Sequence, residues 1–270
     1  MYTLLLALAI SLVPFPLALL AGMSWVTGIV PALLIFPVVA FLLVRRTGQK
    51  VQAELGPVTA SLQGLREAKS QAEVRAVIER AREGLERVRT DWSRWQVLLD
   101  RQIDGQVGML DYMIMEFDAA LPRLERAFRD WTAALAAACV HDRRGRTAER
   151  DAALANAIAY ASKEPQIYLV GAVLQARKGD REAALRTVAQ GLEALPDHGA
   201  LKQLRAALAN KEKVDGPTVL GEGWYGFFPE EAAQQAMVRG RRGPPPEGVT
   251  MRMQQGPPAP RMRGKLARRR

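Results

Sequence analysis

The sequence predicts an all-α protein: an N-terminal transmembrane helical hairpin, then a helical solenoid, then a disordered basic tail. Three observations carry this. The first 44 residues contain no charged side chain, and Arg45-Arg46 follow at once. Apolar residues from Val74 to Leu99 recur at alternating steps of four and three. Pro165 to Pro196 reads as two short helices around a Gly179-Asp180 turn. The expected divisions are a hairpin over 1–48, membrane-proximal helices over 49–128, repeats and a capping helix over 129–212, and a linker with tail over 213–270.

A helix needs roughly 20 apolar residues to cross a hydrocarbon core of about 30 Å. Tyr2–Ala21 and Trp25–Val44 each meet that length, and Gly22–Ser24 is small enough for a tight turn. Arg45, Arg46 and Lys50 follow the second stretch, and no Lys or Arg lies before or between the two. Positive residues stay on the cytoplasmic side. Both ends of the hairpin are therefore expected inside, with the following domain at the cytoplasmic face of a bacterial-type inner membrane. Proline at 14, 16, 31 and 37 is tolerated in spans. The run carries no ionisable group of the kind that transport or proton relay requires, which makes it an anchor. A cleaved signal peptide is disfavoured, because nothing basic precedes Leu4 and the cut site lacks its small residues. Met23 stands where a lipoprotein signal would need cysteine.

The formal charge of +10 is concentrated in the tail. From Ala236 to Arg270 there are ten Arg or Lys and one acid, Glu247. Arg239, Arg241, Arg242, Arg268, Arg269 and Arg270 belong to this segment, whose Gly-Pro-rich composition predicts disorder. Next to a membrane, basic residues of this kind attract anionic lipid. Anionic lipid or an acidic protein is the expected ligand, and nucleic acid is disfavoured. The single cysteine, Cys139, excludes an internal disulfide.

Ser70 and Glu73 form a capping box for the helix that follows. Its seam is Val74, Ile78, Ala81, Leu85, Val88, Trp92, Trp95 and Leu99, a heptad pattern that calls for a partner along one stripe. Packing within the chain is one outcome and a homotypic coiled coil is the other. Asp104-Gly105 is expected to be a break, after which a second helical stretch carries Met109, Leu110, Met113, Ile114 and Phe117, and Pro122 is expected to open the next helix. The acids Asp104, Asp111, Glu116 and Asp118 read as a solvated helix face.

In Pro165–Pro196, Tyr168 supplies a large aromatic, Gly171-Ala172 and Ala184 supply small crossing positions, and Pro196 ends the second helix. This resembles a tetratricopeptide repeat, a 34-residue helical pair. Gly191 replaces the usual alanine, and Gln175 stands where an aromatic is common. Trp131–Glu164 is a weaker copy, with Gly145-Arg146 as its turn and Ala153, Ala157 and Tyr160 filling its second helix. Its spacing from Gly145 to Pro165 reads as about three residues too long for the repeat, which predicts an enlarged loop or helix. Ala200–Lys211 is the expected capping helix, with Leu201, Leu204 and Leu208 inward.

The resemblance implies a groove for a protein partner and places Leu169, Val173, Ala176 and Arg177 on it. The Lys and Asn clamp by which some relatives hold acidic chain termini has no counterpart at Leu169 or Val173. Trp224, Tyr225, Phe227 and Phe228 form an aromatic segment that either folds back to close the stack or serves as a linear motif. No Walker-type loop, GxGxxG, HExxH, CxxC or GxSxG pattern occurs. His141 and His198 lack metal-ligand spacing, and His198 is read as a helix cap. The expected protein is a binding scaffold without catalytic residues, cofactor or metal. A subunit that packs into a larger membrane complex through its hairpin is the alternative.

Overall fold

Helix-forming periodicity runs through the chain, and the computed structural model is all-α. It describes residues 2–13, 25–63, 71–96 and 98–240, and no strand occurs among the described residues. The N-terminal helices are α1 (Tyr2–Leu12), α2 (Trp25–Gln63) and α3 (Gln71–Trp92). The next are α4 (Leu99–Met113), α5 (Phe117–Arg126), α6 (Trp131–Arg143) and α7 (Thr147–Tyr160). There follow α8 (Pro165–Arg177), α9 (Arg181–Ala194) and α10 (Gly199–Ala209), then α11 (Gly216–Leu220), α12 (Gly223–Phe227) and α13 (Pro229–Gly240).

Among the described residues no helix is long and apolar enough to cross a membrane. Of the first expected span, α1 accounts for 11 residues. The Gly22–Ser24 turn and Ser70 of the capping box lie outside the described residues. α1 packs on α2, a helix of 39 residues whose second half is amphipathic. At the start of α1 the Tyr2 N–H donates to the Arg94 carbonyl at 2.9 Å. Thr3 Oγ1 donates to the Trp95 carbonyl at 2.6 Å. Both bonds hold α1 to the turn that follows α3.

The heptad seam is buried within the chain. Ile78, Ala81, Leu85 and Val88 join Val51, Leu99, Ile103, Val107 and Leu110 in one cluster, with Leu55, Val58 and Leu62 against it. The second half of α2 thus carries a matching stripe at 51, 55, 58 and 62. Within the seam Trp95 departs from the expected pattern, since α3 ends at Trp92 and Trp95 is 40% exposed in the turn.

Two expected boundaries are corrected. α4 runs unbroken through Asp104-Gly105. A Cβ at Gly105 would stand 3.1 Å from the Ala127 Cβ, and one at Gly108 would stand 3.1 Å from Leu124. These glycines let the chain after α4 approach closely, so packing overrides their weak helix propensity. α5 begins at Phe117, and Pro122 lies inside it. The acid cluster is also corrected. Asp104 and Asp111 are 2% and 0% exposed. Asp111 pairs with Arg82 and Arg123, and Asp104 with Arg89 and Arg126, which ties α3, α4 and α5 together. Glu116 and Asp118 remain outward.

The repeat is more regular than its sequence suggests. Helices start at Trp131, Pro165 and Gly199, each 34 residues after the last, and α7 and α9 start at 147 and 181, again 34 apart. The turn glycines Gly145 and Gly179 share the offset, with φ of 70° and 84°. The expected enlargement after Gly145 is therefore absent. Twenty residues separate each turn glycine from the next helix start. Tyr160 is 41% exposed rather than inward, and Leu154 fills that role at 4%. His198 caps α10 through Nδ1, and Leu201, Leu204 and Leu208 are buried. The stack is a short α-solenoid.

Gly191 has a reason to depart from alanine. A Cβ there would lie 2.7 Å from Tyr168 Cγ, and Tyr168 is 1% exposed with its OH on the Ser162 carbonyl at 2.9 Å. Overpacking of this kind costs about 1–3 kcal/mol. Gly191→Ala should therefore lower the thermal midpoint of the full chain. The double variant Gly191→Ala/Tyr168→Leu should lose less than the two single losses combined, because the residues touch. Gln175 is buried as a bonded polar group, accepting from Thr187 Oγ1 at 2.8 Å.

Candidate binding groove

The two sets of residues expected to bind partners meet each other. α11, α12 and α13 fold back across α6, α8 and α10. Leu169 and Val173 are 5% and 0% exposed, Ala176 is half-buried and Arg177 is exposed. Trp224, Phe227 and Phe228 are 0%, 7% and 4% exposed in the cluster formed with α4, α5, α6, α7 and α8. Tyr225 is partly buried against it. The aromatic segment is an internal contact, not an exposed motif.

Sequence sets this up locally. Gly221, at φ 60°, turns the chain between α11 and α12. A Cβ at Gly216 would run into the Trp224 ring, so glycine lets α11 lie flat on the indole. Trp224 stacks on Phe228 with centroids 3.9 Å apart. Pro229 then starts α13 and points Glu230 and Glu231 at the stack.

Two arginines receive them. The Arg177 guanidinium lies 4.5 Å from the Trp224 ring centroid and donates to Glu231 at 2.7 Å. Trp224 Nε1 donates to the other Glu231 oxygen at 2.6 Å. Arg143 sits among rings, 4.5 Å from Phe117 and 4.9 Å from Phe228. It donates to Glu230 at 2.7 Å, to the Tyr112 hydroxyl at 2.8 Å and to the Phe227 carbonyl at 2.9 Å. Tyr112 donates to that same carbonyl. Burial opposes the Arg143 charge, but Glu230 and Tyr112 outweigh it and raise its pKa. Burial raises Tyr112 well above its ordinary value.

Glu231 gives the closure a pH dependence. Burial works to raise its pKa, while Arg177 and Trp224 outweigh that and hold it below the ordinary carboxyl value of 4.5. A lowered folded-state pKa stabilises above the unfolded value and is lost as pH falls through the folded one. Amide hydrogen exchange in residues 223–231, corrected for its intrinsic pH dependence, should therefore rise as the chain is taken below about pH 4.5 and stay flat from pH 5 to 8. Glu231→Gln should remove the acid dependence.

The remaining candidates lie elsewhere. Arg239 is in the last turn of α13. Arg241, Arg242, Arg268, Arg269 and Arg270 are outside the described residues. His141 is 4% exposed and its Nε2 meets Glu125 at 2.9 Å. Cys139 is buried, and that burial pushes its thiol up to about 12, far from a reactive thiolate. No group of His, Cys, Asp and Glu arranged to hold a metal occurs among the described residues. Sequence reasoning missed the arginine–aromatic–acid lattice, although the aromatic block at 224–228 with Glu230-Glu231 after it is its visible half. No family model, curated protein or solved structure matches the chain.

Proposed function

We propose that this chain is a membrane-anchored tetratricopeptide-like scaffold that holds a protein partner at the cytoplasmic face. The observation that carries the anchor is the outward surface of α1 and the first half of α2. Leu5, Leu12, Leu33, Leu34, Phe41 and Leu42 are 49–73% exposed, all within the uncharged run. A contiguous apolar surface of that extent is costly in water and favourable in lipid. The 34-residue helical pairs support the repeat reading.

The groove at rest holds a peptide of the chain itself, bound through aromatic rings and an acidic pair. A partner segment of the same chemistry takes its place by exchange. A labelled peptide of residues 222–233 should bind the Trp224→Ala chain and be rejected by the wild type. Failure to bind either would overturn the groove as the partner site. The anchor is tested separately by carbonate extraction of membranes, where release of the full chain into the soluble fraction would end that reading. Photo-crosslinks from Leu34 or Phe41 to another membrane protein would favour the subunit alternative.

A further inference from the structure

At the middle of α2, directly past its apolar half, a cavity of about 490 Å³ opens between α2 and the end of α3. Leu43, Arg46, Thr47, Lys50 and Glu54 line one side at helical spacing, and Asp91, Trp92 and Trp95 line the other. The volume falls within the range of small-molecule sites, about 300–1,000 Å³. We propose that this cavity binds a phosphate ester bearing a primary ammonium, the headgroup of an ethanolamine phospholipid. The proposal rests on the anchored reading above.

Charge order is the first argument. The lining carries two cations and two carboxylates, a zero sum that fits a zwitterion better than an anion. At about 1.5 Å per residue, Arg46, Lys50 and Glu54 lie about 3, 9 and 15 Å beyond Val44. Moving outward, the wall therefore presents an apolar side chain, then cations, then a carboxylate. That is the order of acyl chain, phosphate and ammonium in a phospholipid. Arg46 and Asp91 have no ion-pair partner among the described residues, so a ligand displaces none.

The aromatic groups select further. Lys50 Nζ lies 5.8 Å from the Trp92 centroid, and Trp92 Nε1 donates to Glu54 at 2.6 Å. Trp95 is packed T-shaped against Tyr2, with ring centroids 5.6 Å apart. With the Trp92 face taken by Lys50, the carboxylates are the groups left for a cation. Carboxylates accept from a primary ammonium, which a quaternary choline cannot supply. Tryptophan at this level also suits the membrane–water interface.

The test uses the full chain in mild detergent, with melting followed as lipid is added. Dioleoyl phosphatidylethanolamine should raise the midpoint by about 2–4 °C. The phosphatidylglycerol and phosphatidylcholine forms should give less. Arg46→Gln/Lys50→Gln should abolish the rise, and Asp91→Asn should remove the preference for ethanolamine over glycerol. An equal rise with all three lipids, or an undiminished rise in the double variant, overturns the proposal. Soluble O-phosphoethanolamine and inorganic phosphate are further arms. A rise with the former alone keeps the chemistry and moves its source to solution, and an equal rise with inorganic phosphate overturns the ammonium subsite. Carbonate extraction of the double variant separates the two readings: a variant held in the membrane without the lipid response defeats this site and leaves the anchor standing.

Discussion

Trp224→Ala is expected to lower the stability of the full chain by about 3–5 kcal/mol, the loss typical of a buried tryptophan. The indole is fully buried, stacked on Phe228, covered by Arg177 and bonded to Glu231. Truncation empties the contact between α11 and the stack and removes two partners of the Arg177–Glu231 pair. Equilibrium urea unfolding measures the loss, and chymotrypsin reports where it falls. Cleavage at Tyr225 and Phe227 should accelerate while the α3–α5 region stays protected. Trp224→Phe keeps the stacking and loses the N–H bond to a carboxylate, worth about 1.5–3 kcal/mol, so it should fall between the two. Wild-type stability in Trp224→Ala would show that the C-terminal segment lies on the stack without closing it.

What was legible in the sequence follows how local each signal is. Ile78, Ala81, Leu85 and Val88 lie a turn apart on α3, so their burial could be read from spacing. The second repeat was legible because Tyr168, Gly179 and Pro196 sit at fixed offsets. The gap from Gly145 to Pro165 reads as too long only against an idealised repeat. Its partner gap, from Gly179 to Gly199, has the same length. Gly105 signals a break by propensity, but its function, like that of Gly108, is close approach to Ala127 and Leu124, which lie beyond any local window. The candidate groove shows the limit most clearly. Arg177 and Glu231 are 54 positions apart, and no periodicity links them. Each half was visible alone as a groove or a motif, and only the fold joins them.

The second large effect is expected at Asp111, read from sequence as solvated and found fully buried between Arg82 and Arg123. Its carboxylate is the main cause of the raised Arg82 pKa, which burial opposes. Asp111→Ala removes the shared anion and leaves two guanidinium groups of different helices facing each other in a half-buried space. Breaking a buried pair by removing one partner costs about 3–5 kcal/mol. Thermal unfolding of Asp111→Ala should therefore show a large fall. Asp118→Ala should show none, since that carboxylate is fully outward. The double variant Asp111→Leu/Arg82→Met discriminates between causes. A buried ion pair and an apolar pair of similar volume are often nearly equal in stability, so the double variant should recover most of the loss if uncompensated charge is responsible. A double variant as unstable as Asp111→Ala would instead assign the loss to shape at the α3–α4 crossing, where Arg89 and Asp104 form the parallel pair one helical repeat away.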